Sequence, residues 1–219
     1  MSESIREKIY NKIRRDIIIG NLAPGERLIE SKLSEELHVS RGSIREALRQ
    51  LTTEGFLTFQ TNKGISVSKL TVKQVDEIYA LRSVLEGYAV RLATENITKK
   101  NLKHLAEMQA SLVSATENES LTNWTDSNIA FHNFFIENSG NSYLIQQLDG
   151  LRCRTYRYGI ITITTPGAKE RFLKDHKRII EECERGKAEL AERCMNTHIE
   201  NVKKILINYL KELSMNALV

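Results

Sequence analysis

Isoleucines at 5, 9, 13 and 17 recur at four-residue steps between Ile5 and Ile19, the spacing of one apolar face on a helix. The stretch "GNLAPGERL" then stops that helix at Gly20 and turns the chain through Pro24-Gly25. A short helix from about Ser31 to Leu37 is expected next, followed by Ser40, a natural N-cap with Val39 and Ile44 at the two positions of a hydrophobic staple. The helix it opens is predicted from about Arg41 to Glu54, ended by Gly55. Ile44, Ala47, Leu48 and Leu51 fall on its apolar face, while Arg41, Arg45 and Arg49 form a slowly drifting stripe on another. The period then changes. "FLTFQ" and "ISVSK" are β-prone runs flanking Thr61-Asn62-Lys63-Gly64, which reads as a hairpin. Three helices and a hairpin over residues 1–69 predict a winged helix-turn-helix, an arrangement that sends its third helix into the major groove of DNA and its wing toward the backbone or minor groove.

From Leu70 onward no β pattern returns. Thr71 caps a long helix through "VDEIYALRSVLEGYAVRLATE", and helical runs follow at 98–117, 121–139, 141–159, 167–185 and 187–214, separated by "ENES", "SGN", "TTPG" and "RGK". Both prolines of the chain fall at turns. The expected fold is therefore mainly α, with an all-α helical bundle over residues 70–219 after the winged domain. A chain of 219 residues is long enough for two such domains without disulfide staples.

Charge adds a little. Residues 1–70 carry 12 Lys+Arg against 9 Asp+Glu, and the rest 20 against 19, a small basic excess compatible with a polyanion partner. Arginine suits phosphates and bidentate contact with guanine, although a stripe at this spacing also describes an ordinary solvated helix face. Cys153, Cys183 and Cys194 are odd in number and lack C-x-x-C spacing, which points to reduced thiols used in packing in a cytoplasmic protein. The charged N-terminus "MSESIREKIY" is unlike a signal peptide, and no apolar run is long enough to span a membrane.

The histidines carry the remaining chemistry. Asn128 and His132 are four residues apart on one predicted helix and share a face. His176 lies 10 residues before the turn at Gly186 and His198 12 after it, which on antiparallel helices puts them roughly 15 and 18 Å from that turn. Three imidazoles at matched depth could form a metal site with an Asn128 oxygen; alternatively each is a satisfied polar or exposed residue. His38 and His104 show no such relation. A metal with open positions could activate water for a hydrolytic enzyme. No H-E-x-x-H motif supports that, and the Glu-x-x-His at Glu35–His38 belongs to the DNA-binding part.

The segment "LSEELHVSRGSIREALRQLTTEGFL" resembles the GntR family of bacterial transcription regulators, and "LRSVLEGYAVRLA", "NIAFHNFFIENSGN", "DHKRIIEECERG" and "HI" resemble the FCD effector domain of its FadR-type subfamily. The resemblance covers nearly the whole chain. It implies a homodimeric repressor or activator, not an enzyme, that binds an inverted-repeat operator in double-stranded DNA. Its helical domain would dimerise and bind a small ligand that alters operator affinity. DNA contacts would come from Ser40, Arg41, Gly42, Ser43, Arg45 and Arg49, and from Asn62, Lys63 and Gly64 of the wing. Gly42-Ser43 stand where the family commonly has Thr-Pro or similar, and the "TNKG" wing lacks the frequent Gly and Arg richness. Metal-binding members have Asp or Asn four before a histidine and two later histidines, places held here by Asn128, His132, His176 and His198. A divalent transition metal, Zn or Ni, is implied, with Asn128 supplying one negative charge fewer than the commoner Asp. The family's R-x-x-x-E segment matches Arg82 and Glu86; Arg82 would bind the carboxylate of a small organic acid bidentately, or else simply pair with Glu86 at i, i+4. A metal-independent regulator using the bundle only to dimerise is the alternative.

Overall fold

The computed structural model describes residues 4–156 and 158–216. The chain divides into two compact units, one made of the chain up to Leu70 with the stretch 153–159, the other of Thr71–Arg152 with the chain from Ile160 on.

The first unit opens with α1 (Ile5–Ile18), capped by Ser4 and Glu7 in a reciprocal box: Glu7 N donates to Ser4 Oγ at 3.2 Å and Ser4 N to Glu7 Oε2 at 2.8 Å. Its apolar face buries Ile9, Ile13, Ile17 and Ile18, while Ile5, the first of the expected stripe, is exposed. After α2 (Glu30–Glu36), Ser40 caps α3 (Arg41–Thr53) by accepting from Ser43 N at 3.1 Å. The four apolar residues named from the pattern, Ile44, Ala47, Leu48 and Leu51, are all fully buried. The hairpin forms as expected from β2 (Leu57–Gln60) and β3 (Gly64–Val67), in register Leu57↔Val67 to Gln60↔Gly64. A further strand, β1 (Arg27–Leu28), pairs with the other edge of β3 and makes a sheet of order β1-β3-β2. Two residues are too few to show a period, so this strand is invisible in the pattern.

The second unit is helical. Thr71 and Gln74 form the capping box of α4 (Val72–Glu95), followed by α5 (Lys99–Glu117) and α6 (Leu121–Glu137). The single helix expected over 141–159 is two helices: α7 (Ser142–Tyr156) stops before Gly159, where α8 (Gly159–Thr164) begins. Glycine is a weak helix former, and here it marks the joint. Pro166-Gly167, with Gly167 at φ +73°, then lead into α9 (Ala168–Glu184), and Gly186 at φ +66° turns the chain into α10 (Ala188–Asn216). The longest packing is between α4 and α10, which approach closely at Gly87: a β-carbon there would stand 1.8 Å from Asn196 Oδ1. Leu105, Leu112, Trp124, Phe131, Phe135, Phe172 and Ile179 fill the interior. Cys183 is buried against Thr94 Oγ1, 3.2 Å away, and burial pushes its thiol up to about 11, an unreactive packing residue as expected. Cys194 is partly exposed, and the side chain of Cys153 lies outside the described residues. Among the described residues no helix is long and apolar enough to cross a membrane.

Candidate functional site

Four helices of the second unit supply a polar cluster: the buried Arg82 and Glu86 from α4, His132 from α6, His176 from α9 and His198 from α10, with the half-buried Asp175 beside them on α9. The i, i+4 spacings that place Arg82 with Glu86 and Asn128 with His132 follow directly from the helical repeat. The three imidazoles do meet. His132, His176 and His198 each offer a ring nitrogen within 4.8 Å of the others, and all three rings are buried.

Each imidazole has a different partner. His132 Nδ1 is 2.8 Å from Glu86 Oε2. An ionised carboxylate can only accept, so Nδ1 carries the hydrogen and Nε2 the lone pair. His198 Nδ1 is 3.4 Å from Asp175 Oδ2, which also accepts from Asn201 Nδ2 at 3.2 Å. Among the described residues, His176, wholly buried and stacked on Phe131 at 4.1 Å, has no hydrogen-bond partner at either nitrogen, and the buried Oδ1 of Asn128 has none. Orphaned buried polar atoms are costly, and three of them on two of the four residues that sequence assigned to one site indicate a missing partner.

The electrostatics point the same way. Burial lowers His132 to about 4 despite the opposing pull of Glu86, and burial with the neighbouring His198 and His132 lowers His176 well below 6.5. Both rings are neutral near pH 7, the form that ligates metal. Burial would raise Glu86, but Arg82, His132 and Arg152 together hold it well below the usual carboxylate range. Three imidazoles whose ligand atoms lie within 4.8 Å of one another, two of them backed by carboxylates, fit a divalent transition ion rather than calcium or magnesium.

Arg82 Nε donates to Glu86 Oε1 at 2.8 Å, and its guanidinium lies 4.8 Å from the Tyr79 ring centre. The i, i+4 ion pair considered from the spacing is thus present. Sequence reasoning missed Asp175, which adjoins His176 in "KDHK", and Arg152, which is 2 % exposed and donates to Asn133 Oδ1 at 2.5 Å. Its place directly before His176 could have drawn attention to Asp175; nothing in "LRCRTYRY" distinguishes Arg152. A recess of about 230 Å³ lined by Asp175, Arg178, Arg193, Cys194 and Thr197 opens beside the cluster.

In the first unit, the exposed face of α3 presents Arg41, Gly42, Arg45 and Arg49. Arg45 is not simply extended into solvent: its Nη2 lies 3.0 Å from Glu30 Oε2, which raises its pKa further. Ser40 and Ser43 are tied to each other through their hydroxyls at 2.9 Å. The wing tip exposes Asn62, at φ +67°, and Lys63, beside the half-buried Gly64. The exposed Arg27, unremarked in the sequence, reaches this tip from β1: its Nη2 is 3.5 Å from where a β-carbon on Gly64 would stand.

Residues 5–67 match the bacterial regulatory proteins of the gntR family, and residues 77–201 match the FCD domain. The HTH-type transcriptional regulator YdhC of Bacillus subtilis is 31% identical over 207 residues, covering 91% of each chain. The HTH-type transcriptional repressor RspR of Escherichia coli is 23% identical, covering 93% of this chain and 89% of its own. Among solved structures, Escherichia coli McbR/YncC superposes with a TM-score of 0.82 at 25% identity, covering 95% of this chain and all of that one.

Proposed function

The chain belongs to the gntR family of bacterial transcription regulators, with an FCD domain as its second half and no enzymatic role, and from that premise we propose that its operator affinity is set by a small carboxylate bound beside a divalent transition metal. The observation that carries this reading is the buried trio His132, His176 and His198, with ligand atoms within 4.8 Å of one another and His176 left without a hydrogen-bond partner among the described residues. When bound, a zinc or nickel ion would offer Lewis-acid positions to a carboxylate oxygen. The chain's own residues would do the rest. His132, His176 and His198, with the Asn128 oxygen, would hold the ion, and Arg82 would present a charged fork to the anion.

DNA binding is proposed for Ser40, Arg41, Gly42, Ser43, Arg45 and Arg49 on α3 and its cap, with Asn62, Lys63 and Gly64 at the wing. Exposure of Arg41 and Arg49, which form no ion pair among the described residues, supports that reading. Arg45 can leave Glu30 for a phosphate or guanine, because that pair is solvent-exposed and weak. The proposed working form is a cytoplasmic homodimer on an inverted repeat, since one small winged domain contacts too little DNA for selectivity. Leu81, Val84 and Tyr88, exposed by 55%, 64% and 41% on one stripe of α4, supply an apolar face for the second copy.

The test is direct. An operator recovered from randomised DNA is titrated with metal-loaded and chelator-stripped protein, each against a panel of small mono-, di- and tricarboxylates. A carboxylate that changes DNA affinity only in the metal-loaded protein is the expected result. One that acts equally on stripped protein and on His176→Ala overturns the metal-dependent reading.

A further inference from the structure

We propose that Glu86 is the positioning residue that ties the anion-binding arginine to the metal-binding histidine, so that occupancy at one is felt at the other. The inference rests on the metal reading above and goes one step further into its wiring. Glu86 is 1% exposed, and its two oxygens are divided between two partners: Oε1 accepts from Arg82 Nε at 2.8 Å and Oε2 from His132 Nδ1 at 2.8 Å.

The division has two consequences. Because a carboxylate only accepts, His132 is fixed as its Nδ1–H tautomer, which leaves Nε2 as the nitrogen with a lone pair free for a metal. And because Arg82 anchors the opposite oxygen, an anion that engages the guanidinium must share it with Glu86. Any shift of Glu86 is delivered to His132 through a rigid hydrogen bond. Metal and anion would then be linked reciprocally, each altering the affinity of the other by the same factor. Glutamine cannot replace Glu86 in this role: its amide has one accepting and one donating end, so it either faces Arg82 with a donor or forces His132 into the other tautomer.

The experiment has three parts. Nitrogen-15 correlation spectra of metal-free wild type, with His132 assigned from His132→Gln, should show the Nδ1–H tautomer; an Nε2–H tautomer overturns the proposal without requiring any Glu86 variant to fold. Zinc affinity, read by competition with a chromophoric chelator, should fall about 10- to 100-fold in Glu86→Gln. Arg82→Met, which removes no ligand, should also weaken zinc, yet add nothing further in the Glu86→Gln background. Additive losses, or wild-type zinc affinity in Glu86→Gln, overturn the relay. His132→Ala separates this from failure of the underlying reading: if it abolishes zinc binding while Glu86→Gln binds normally, the metal site stands and the relay falls; if it binds zinc as wild type does, both fall.

Discussion

Acidification of the metal-free protein should cost stability well above the pH at which carboxylates titrate. In the unfolded chain an imidazole takes its proton near pH 6.5, whereas burial holds His132 neutral in the fold down to about 4. Between those values the unfolded state binds more protons, so stability falls as pH drops below 6.5, and the loss is complete near 4. At 1.36 kcal/mol per pH unit, moving from pH 7.5 to 5 removes about 2 kcal/mol through His132 alone. His176, also lowered by burial, adds a loss of the same sign. Glu86 is held below its ordinary range, so its stabilising contribution is lost only under more acid conditions than this comparison reaches. Urea unfolding of chelator-treated protein, followed by the fluorescence of the buried Trp124, reads the difference as a shift in midpoint at constant slope. Identical midpoints at pH 7.5 and 5 would refute the assignment of neutral buried imidazoles. So would a His132→Gln variant retaining the full pH dependence, since glutamine can still donate to Glu86 but cannot titrate.

Arg45→Ala should weaken specific operator binding about 5- to 150-fold in a salt-controlled gel shift, the range of one lost bidentate base contact, with the unfolding midpoint unchanged because the side chain is exposed. Equal affinity would remove α3 from the groove. If the proposed homodimer forms through the exposed α4 stripe, Val84→Glu should give a monomer in sedimentation at micromolar concentration by placing a charge there; an unaltered dimer would move the interface elsewhere. Gly87→Ala should destabilise the protein by about 1–3 kcal/mol despite the better helix propensity of alanine, because the added carbon meets Asn196 at the α4–α10 contact. A stabilised variant in urea would show that α10 gives way there.

Much of the fold was legible because it depends on short-range rules. The apolar face of α3 and its Ser40 cap, the Thr71 cap of α4 and the turn at Gly186 are each set within a few residues, and each is where the pattern puts it. The departures come from longer-range effects. Strand β1 exists because Arg27 and Leu28 find the free edge of β3, nearly 40 residues away, and two residues carry no periodicity of their own. The first isoleucine of α1 follows the helical spacing yet stays exposed, since the repeat fixes a direction and not the extent of the neighbouring surface. The break between α7 and α8 rests on Gly159, a residue helices tolerate often enough to hide the joint.

The candidate site was legible in its histidines and opaque in its charges. Counting residues from Gly186 set His176 and His198 at about the same depth, and helical spacing paired Asn128 with His132; both are arguments from geometry that needs no knowledge of packing. Charge balance needs all the helices at once. Among the described side chains, the buried guanidiniums of Arg82 and Arg152 stand against the buried carboxylate of Glu86 and the half-buried Asp175, with at least His132 and His176 neutral. That set is close to balanced as it stands, and a divalent ion would add two positive charges in a place where water cannot screen them. An anionic ligand then restores the balance, and a neutral one does not. Selectivity for a carboxylate would therefore arise from the whole buried charge set and not from Arg82 alone, which is why no single residue of the sequence announces it.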